Sequence, residues 1–178
     1  MTAINPDLKV RTYKEWISAG NIAEIIADYD FVIDGTDNFA AKFLINDACV
    51  MAGKAYSHGG ILQFVGQTLT VKPGESACFR CIFPEPPPKD AIPTCSQAGV
   101  IGVLPGVIGT IQATEALKFL LGIGKLLTNR ILMYDAQEMV FRNVDVKKNE
   151  NCPVCGVNPV ITELKDELDA MTVCDLQA

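Results

Sequence analysis

Four cysteines in two pairs carry the most specific chemistry of this sequence. Each pair has the spacing Cys-x-x-Cys, and the pairs are Cys78 with Cys81 and Cys152 with Cys155. Two residues between thiolates allow one turn of chain to direct both sulfur atoms at a single ion, and two such turns complete a tetrahedral shell. We therefore predict a structural Zn²⁺ site with no open coordination position. The alternatives are a redox-active dithiol, for which one pair would be enough, and a chance spacing.

A second candidate site is the segment 34–38 (DGTDN), which follows a short apolar run. We expect this run to be a buried strand, and ligands in open α/β sheets bind at the carboxyl ends of such strands. Carboxylate groups at that position suit Mg²⁺ and phosphate oxygen atoms. The simpler interpretation is that Asp37 or Asn38 caps the helix that follows. Both interpretations stay open on the segment alone.

The remaining candidates are single side chains. Cys95 lies between a proline-rich loop and a predicted helix, where the helix N-terminus would favour the thiolate that a nucleophile needs. Taken alone, however, a lone cysteine is more often inert. His58 is the only histidine and has no aspartate or cysteine close to it in the sequence, so we assign it a structural role. Cys49 and Cys174 receive no role.

Composition places the chain among packed globular proteins. Of its 178 residues, 49% are hydrophobic and 20% are charged, which predicts one sizeable core. A net charge of −6 without any Lys/Arg-rich run argues against binding to nucleic acid or anionic lipid. The first residues contain no apolar signal segment, and the longest apolar stretch is interrupted by Gln112, Glu115 and Lys118. We expect a cytoplasmic protein without a membrane partner, whose cysteines are reduced and bind metal.

The alternation of apolar runs with glycine and proline predicts an α/β fold. Helices are expected over 21–27, 38–52 and 106–121, with at most a peripheral helix over 162–169. Strands are expected over 8–13, 30–34, 55–61, 63–71, 130–135 and 139–146, where Gly59 and Gly60 allow either a close backbone approach or a bend. The run 30–34 is apolar enough for a parallel sheet. The prolines between 84 and 88 predict a loop, because proline cannot donate to a helix or a strand ladder.

No recognisable nucleotide-binding loop accompanies these elements. There is no G-x-G-x-x-G after a predicted strand, since the glycines within 99–106 have a different spacing in an apolar helical region. There is no Walker loop either, because Gly124 and Lys125 are followed by Leu126. The sequence therefore contains neither kind of glycine-rich phosphate-binding loop.

Several motifs in a fixed order resemble one family. They are INP (4–6), FVIDGTDNF (31–39), IND (45–47), CFRCIFPEPPP (78–88), TCSQAGVIGVLPGVIGTIQATEALK (94–118) and CPVCG (152–156). Their common order makes nearly the whole chain similar to the ThiF/MoeB/HesA proteins, bacterial relatives of the ubiquitin-activating enzymes. It looks most like members that adenylate the C-terminal Gly-Gly carboxylate of a small ubiquitin-like sulfur carrier in molybdopterin or thiamine biosynthesis.

The resemblance implies a Rossmann-like doubly wound sheet with a zinc clamp of four cysteines, and an ATP-dependent adenylyltransferase activity. It implies that Asp37 and Asn38 contact the nucleotide and Mg²⁺. Cys95 corresponds to a thiol that forms a thioester or acyl persulfide in some relatives and is dispensable in others. The implied reaction is attack of the carrier's carboxylate on the α-phosphate of ATP, which releases pyrophosphate and leaves an acyl adenylate for a separate sulfur donor. Family members commonly form homodimers, so a homodimer is expected as well.

One departure from the family pattern is large. Members begin with a strand, a glycine-rich loop, an acidic ribose ligand and further phosphate-binding Arg and Lys residues, all before the INP segment. We therefore expect 1–165 to be the C-terminal part of such a domain, without its first βαβ unit and inactive by itself, and 166–178 to be a tail. Three hypotheses remain open: a part of a full adenylyltransferase, a non-enzymatic carrier-binding or assembly module, and one half of a split enzyme. We favour the first, because the TDN segment and Cys95 are both intact.

Overall fold

The structure is a computed structural model that describes residues 1–88 and 98–166. In this part of the chain the helices are α1 (Ile22–Ala27), α2 (Phe39–Met51), α3 (Phe79–Ile82) and α4 (Leu104–Leu121). The strands are β1 (Phe31–Asp34), β2 (Ala55–Leu62), β3 (Val65–Val71), β4 (Arg130–Asp135) and β5 (Val140–Asp145). These bounds confirm the predicted α/β class.

The five strands form one sheet whose spatial order, β1-β2-β3-β4-β5, follows the order of the chain. β1 and β2 run parallel, and Asp34 lies opposite His58 in their register. A parallel pair needs a crossover connection, which α2 supplies. The other three strand pairs are antiparallel. The first apolar run therefore has a parallel partner, as expected, but the predicted parallel sheet is wrong for the other three pairs, and β1 is only partly buried.

Helices cover both faces of the sheet. On one face, the hydroxyl of Tyr56 in β2 donates to Asn46 of α2. On the other face, Gly59 of β2 lies against Gln112 of α4. Residues 56 and 59 are separated by an odd number of positions, so they point to opposite sides of the strand. The larger apolar core lies on the α2 side, and a smaller cluster of Leu104, Ile108 and Tyr134 lies under α4.

α2 is enclosed on most of its surface, and this decides how its polar residues behave. It begins after Asn38, whose side-chain oxygen accepts a hydrogen bond from the amide of Ala41 at 2.8 Å. Nine consecutive residues of the helix, from 41 to 49, are buried. Lys42, Asn46 and Asp47 are among them, and buried polar groups are costly unless they find partners. These side chains must therefore make specific contacts inside the protein.

α4 combines a buried face and an exposed face. Leu104, Ile108, Gln112 and Glu115 are buried at the spacing of one helical face, with proline in the first turn, where its missing amide proton is tolerated. Glu115 accepts hydrogen bonds from the hydroxyl of Thr70 and the amide of Leu127. In the part of the chain that the structure describes, no helix has both the length and the apolar character needed to cross a bilayer.

Four local predictions need correction. Residues 8–13 form no strand, and Leu8, Val10 and Tyr13 are exposed there. Of the two alternatives for Gly59 and Gly60, the bend is not observed: both lie inside β2, and the chain reverses at Gln63, which has a φ of 51°. One helical turn, α3, forms within the region predicted as loop. Residues 162–166 are not helical, and the rest of that predicted helix lies outside the described residues.

Candidate functional site

The four paired cysteines come together in the fold. Their sulfur atoms all lie within 4.8 Å of one another, although the two pairs are 74 positions apart in the sequence. The distance is 3.6 Å from Cys78 to Cys152 and 3.4 Å from Cys81 to Cys155. Among the described residues this is the one group of three or more His, Cys, Asp or Glu side chains placed to share a metal ion. We call it the cysteine cluster, and its geometry is compatible with one bound metal.

Local turns orient the sulfur atoms of the cysteine cluster. Cys78 caps the single turn of α3, which also contains Cys81, and the amide of Asn149 donates to the sulfur of Cys81 at 3.4 Å. In the second pair, the amide of Gly156 donates to the carbonyl of Cys152 at 3.0 Å. A Cβ atom at position 156 would lie 2.5 Å from that carbonyl oxygen, so the turn requires glycine.

The thiols of the cysteine cluster shift one another's pKa values in opposite directions. Hydrogen bonds from Cys152 and Cys78 lower the pKa of Cys81, whereas bonds to Cys152 and Cys81 raise the pKa of Cys78. The cluster therefore favours a thiolate at Cys81, held by neighbouring thiols. A thiolate is the form of cysteine that binds metal.

The first cysteine turn is fixed to α2 by buried polar contacts. Phe79, directly after Cys78, donates its amide proton to the side-chain oxygen of Asn46 at 2.8 Å. Arg80 pairs with Asp47, with 2.7 Å between Nη2 and Oδ2. The same guanidinium lies 4.7 Å from the centre of the Phe43 ring. Asn46 and Asp47 of α2 therefore hold the turn that contains Cys78 and Cys81.

The DGTDN segment lies at the carboxyl end of β1 and leads into α2, as predicted. Asn38 caps α2 through its side-chain oxygen, so the simpler interpretation applies to at least that atom. The side chain of Asp37 is exposed at the same edge of the sheet. A carboxylate in this position can meet a cation or a cation-bound phosphate from solvent, and its role as a ligand stays a prediction.

Beneath this segment lies a polar group that the sequence did not reveal. Asp34 is buried, and its Oδ2 atom lies 3.2 Å from the ammonium of Lys42 and 3.0 Å from Nδ1 of His58. Burial raises the pKa of Asp34, but the hydrogen bond from His58 and the charge of Lys42 outweigh it and lower the pKa to about 2. Burial lowers the pKa of His58, so the ring is neutral and Nδ1 donates to the carboxylate.

A further missed residue, Gln112, joins the two parallel strands from the opposite face. Its amide nitrogen donates to the carbonyl of Asp34 at 2.9 Å and to the carbonyl of Ser57 at 3.0 Å. Gly59 leaves space for this side chain, since a Cβ atom there would lie 2.6 Å from Oε1 of Gln112. The carboxyl end of β1 is therefore held from both faces of the sheet.

Cys95 lies outside the described residues, so its proposed role stays a prediction. The chain that follows it returns to the sheet at the β2–β3 turn. The amide of Gln63 donates to the carbonyl of Gly99, and the amide of Ile101 donates to the carbonyl of Gln63, both at 3.0 Å.

With this geometry in place, comparison with known proteins decides the family. A model of the ThiF family matches residues 1–154. The chain belongs to the ThiF family. Sulfur carrier protein adenylyltransferase of Thermus thermophilus is 46% identical over 171 residues, which cover 93% of this chain and 63% of that protein. SAMP-activating enzyme E1 of Haloferax volcanii is 42% identical over 171 residues, which cover 96% of this chain and 62% of that protein.

More distant relatives agree with this membership. Adenylyltransferase and sulfurtransferase MOCS3 of Dictyostelium discoideum is 40% identical over 168 residues, which cover 93% of this chain and 40% of that protein. The solved structure of E. coli MccB with ATP matches with a TM-score of 0.68 at 16% identity, over 87% of this chain and 48% of that one. At this identity the match concerns the fold alone, and it confirms the predicted Rossmann-like class. The chain spans less than two thirds of the length of each of these proteins.

Proposed function

We propose that this chain is part of an ATP-dependent adenylyltransferase that activates the C-terminal Gly-Gly carboxylate of a ubiquitin-like sulfur-carrier protein. The observation that carries the proposal is its 46% identity, over 93% of the chain, to a protein named sulfur carrier protein adenylyltransferase. The exposed carboxylate of Asp37 at the carboxyl end of β1 supports it, because nucleotide ligands bind at that edge in open α/β sheets. Molybdopterin and thiamine biosynthesis both use such carriers in this family, and either would fit.

Asp37 and Asn38 are the residues of this chain that we assign to ATP and Mg²⁺. The carboxylate of Asp37 would ligate Mg²⁺, which offsets the negative charge of the triphosphate when it is bound. Asn38 ends the loop and begins α2, so it directs the N-terminus of a 13-residue helix toward the same edge. Free amide groups at a helix N-terminus favour phosphate. These residues hold and orient the nucleotide while the carrier's carboxylate attacks the α-phosphate and pyrophosphate leaves.

We assign structural Zn²⁺ to the cysteine cluster. With a Zn–S bond of about 2.3 Å, the sulfur atoms of a regular tetrahedron are about 3.8 Å apart. The separations of 3.6 and 3.4 Å between the facing cysteines approach that value and would need only a small expansion. Four thiolates fill the shell, so the ion would hold the fold together and take no part in the reaction.

Cys95 is our candidate for the thiol that accepts the activated carrier. In that step the thiolate attacks the carbonyl carbon of the acyl adenylate, a thioester forms and AMP leaves. If a separate sulfur donor intercepts the adenylate directly, Cys95 is dispensable for sulfur transfer. Pyrophosphate exchange would continue without Cys95 in either case, because it reports only the adenylation step.

The proposed partners are the carrier protein and a second copy of this chain. On the outward side of α4, the leucines 117, 120 and 121 are 59%, 57% and 66% exposed. Large apolar side chains grouped in this way mark protein interfaces, which supports a homodimer. The four free cysteines of the cluster support a reducing, cytoplasmic setting.

The test is ATP:pyrophosphate exchange by the purified chain with Mg²⁺ and a Gly-Gly-terminated carrier. We compare wild type with Asp37→Ala and use Glu75→Ala as the control, since Glu75 is exposed at the opposite end of the sheet and pairs only with Lys72 in the described part. Carrier-dependent exchange that Asp37→Ala abolishes and Glu75→Ala preserves would support the adenylyltransferase activity. It would also overturn the expectation that the chain is inactive by itself, because adenylation would then proceed without a glycine-rich loop.

One observation favours a second candidate, a non-enzymatic carrier-binding module: the sequence contains neither glycine-rich nucleotide motif. Carrier binding by calorimetry, without exchange and without any effect of Asp37→Ala, would support that module. Exchange restored by adding a separately expressed N-terminal half of a relative would identify a part of an adenylyltransferase or a split enzyme. A folded chain that binds no carrier and gains no exchange in that mixture would contradict the proposal.

A further inference from the structure

Asp37 is exposed, but both of its neighbours are fixed. Thr36 donates its amide proton and its hydroxyl proton to Oδ1 of Asp34, at 2.9 and 2.6 Å. On the other side, the side-chain oxygen of Asn38 accepts from Ala41, and its carbonyl accepts from the amide of Lys42 at 3.3 Å. The turn that presents Asp37 is therefore tied to Asp34 at one end and to the first turn of α2 at the other.

The carboxylate that holds Thr36 is itself held from two elements. Asp34 is 1% exposed. Its second oxygen faces the ammonium of Lys42 from α2 and the ring of His58 from β2. Lys42 also donates to the carbonyl of Gly59, so its side chain spans from the helix to both parallel strands. All three side chains are buried, so we assign them a positioning role.

Lys42 is the cation that balances Asp34. A buried carboxylate is costly unless it is paired and hydrogen-bonded, and removal of one partner leaves an uncompensated charge. Without Lys42, the Asp34 carboxylate would draw in water or take up a proton, and either change would weaken its bonds to Thr36. An uncompensated negative charge directly under the turn would also repel a polyphosphate.

We propose that Lys42 and Asp34 are positioning residues of the nucleotide site, which act by holding the turn 35–38 so that Asp37 faces outward to bind Mg²⁺·ATP. This inference rests on the proposed function for its ligand. The order of the turn, however, can be measured without any ligand, so this inference and the proposed function can fail separately.

The experiment compares Lys42→Met, Asp34→Asn and the double variant in the full chain. Lys72→Met is the matched control, because Lys72 follows β3 at the opposite end of the sheet and pairs with an exposed glutamate. Two properties are measured: amide hydrogen exchange of the turn 35–38 without ligand, read at Thr36, whose amide donates to Asp34, and the dissociation constant of Mg²⁺·ATP by calorimetry. Amides of β3 and α4 serve as internal references for global unfolding.

We expect exchange of the turn amides in Lys42→Met to be about 10 to 100 times faster, as for loss of one charged hydrogen bond, and Mg²⁺·ATP binding to weaken by a similar factor. In the double variant neither charge of the pair remains, and the side-chain amide oxygen introduced at position 34 can still accept from Thr36. This variant should therefore recover most of the protection and most of the affinity. That recovery would show that Lys42→Met acts through the unpaired charge of Asp34 and not through lost packing, because the double variant has the same methionine at position 42. Lys72→Met should match wild type in both measurements.

If Lys42→Met does not fold, Thr36→Val tests the same link from the turn itself. It removes the hydroxyl that donates to Asp34 and leaves the buried pair in place, so a folded protein with a looser turn and about tenfold weaker binding is expected.

Unchanged protection of residues 35–38 in the folded variants would overturn the inference. So would a looser turn with unchanged Mg²⁺·ATP affinity, since the pair would then be structural only. A wild-type chain that binds no Mg²⁺·ATP would contradict the proposed nucleotide site. The hydrogen-exchange data would still decide whether Lys42 and Asp34 hold the turn.

Discussion

Arg80 binds Asp47 through two nitrogen atoms, with 2.8 Å from Nε to Oδ1 and 2.7 Å from Nη2 to Oδ2, and both side chains are buried. Arg80 lies between two cysteines of the cluster, and Asp47 lies on the helix that Asn38 caps. The turn that contains Cys78 and Cys81 and the proposed nucleotide edge are thus attached to the same helix.

Asp47→Ala should destabilise the fold by about 2–4 kcal/mol, because it removes the carboxylate that accepts two hydrogen bonds from the buried guanidinium of Arg80. Urea denaturation followed by circular dichroism measures this. Glu75→Ala is the control, since it removes an exposed ion pair with Lys72 and should change the free energy of unfolding by less than about 1 kcal/mol. Equal effects of the two substitutions would contradict the importance of the buried pair.

Cys78→Ser and Cys152→Ser should each release the metal and lower the thermal stability, because binding of a structural ion contributes directly to the free energy of folding. Atomic emission gives the metal content, and calorimetry gives the unfolding temperature. Cys95→Ala should keep both, as it leaves the cysteine cluster intact. A metal-free variant with the full stability of wild type would show that the cluster is not a structural metal site.

The stability of the protein should fall as the pH drops below about 6.5. Burial lowers the pKa of His58, so the unfolded chain takes up a proton there that the folded protein does not. The free energy of unfolding should decrease by up to about 1.4 kcal/mol per pH unit in this range.

Urea denaturation between pH 7.5 and 5.5 measures this slope, with the metal content checked at each pH. His58→Gln should show a smaller slope. Since His58 is the only histidine, its ring signal in NMR also reports protonation directly. A folded-state ring that titrates near its ordinary pKa of 6.5 would contradict the expectation.

Gly59→Ala should destabilise the protein by about 1–3 kcal/mol, because the added methyl group would displace the buried side chain of Gln112 from the carbonyls of β1 and β2. Gly109→Ala is the control. It lies within α4 with no atom within 4 Å of an added Cβ, so alanine there should stabilise the helix by about 0.5–1 kcal/mol. Chemical denaturation of both variants measures the free energy of unfolding. An unchanged free energy in Gly59→Ala would mean that Gln112 can move without cost.

Asn38→Ala should cost about 1 kcal/mol of stability through loss of the helix cap, whereas Asn38→Ser should keep most of it, since serine caps equally well. Binding of Mg²⁺·ATP by the serine variant then separates the two interpretations of this residue. Weakened binding with full stability identifies a ligand contact. Unchanged binding would leave Asn38 as a cap only.

Local signals were enough to predict most of the elements. The predicted range of α2 exceeds the observed helix by one residue at each end, because a capping asparagine and a following glycine mark its limits. The two cysteine pairs were also readable, since their short spacing is a property of single turns. The segment 8–13 was predicted wrongly as a strand, because alternating apolar residues form a strand only where another strand pairs with them, and none in the described chain does so there.

The polar group beneath the turn could not be read from sequence. His58 is 24 positions from Asp34, and only the parallel register of β1 and β2 places them side by side. Lys42 is buried because α2 is enclosed on most of its surface, which no local pattern around Lys42 indicates. Contacts of this kind depend on which strands pair and on how completely a helix is covered, and both are decided over distances that local patterns do not span.

The sheet is assembled in chain order from neighbouring segments, whereas the cysteine cluster joins positions 74 residues apart. Closing a flexible loop of that length costs about 4 kcal/mol of chain entropy, which a refolding chain must lose before the distant contacts form. An unfolded chain whose four thiolates still share one ion begins with that loop already closed. A bound ion would then speed refolding. Chains that lose the ion would refold more slowly, and their β1 and α2 segments would stay exposed to other unfolded chains for longer.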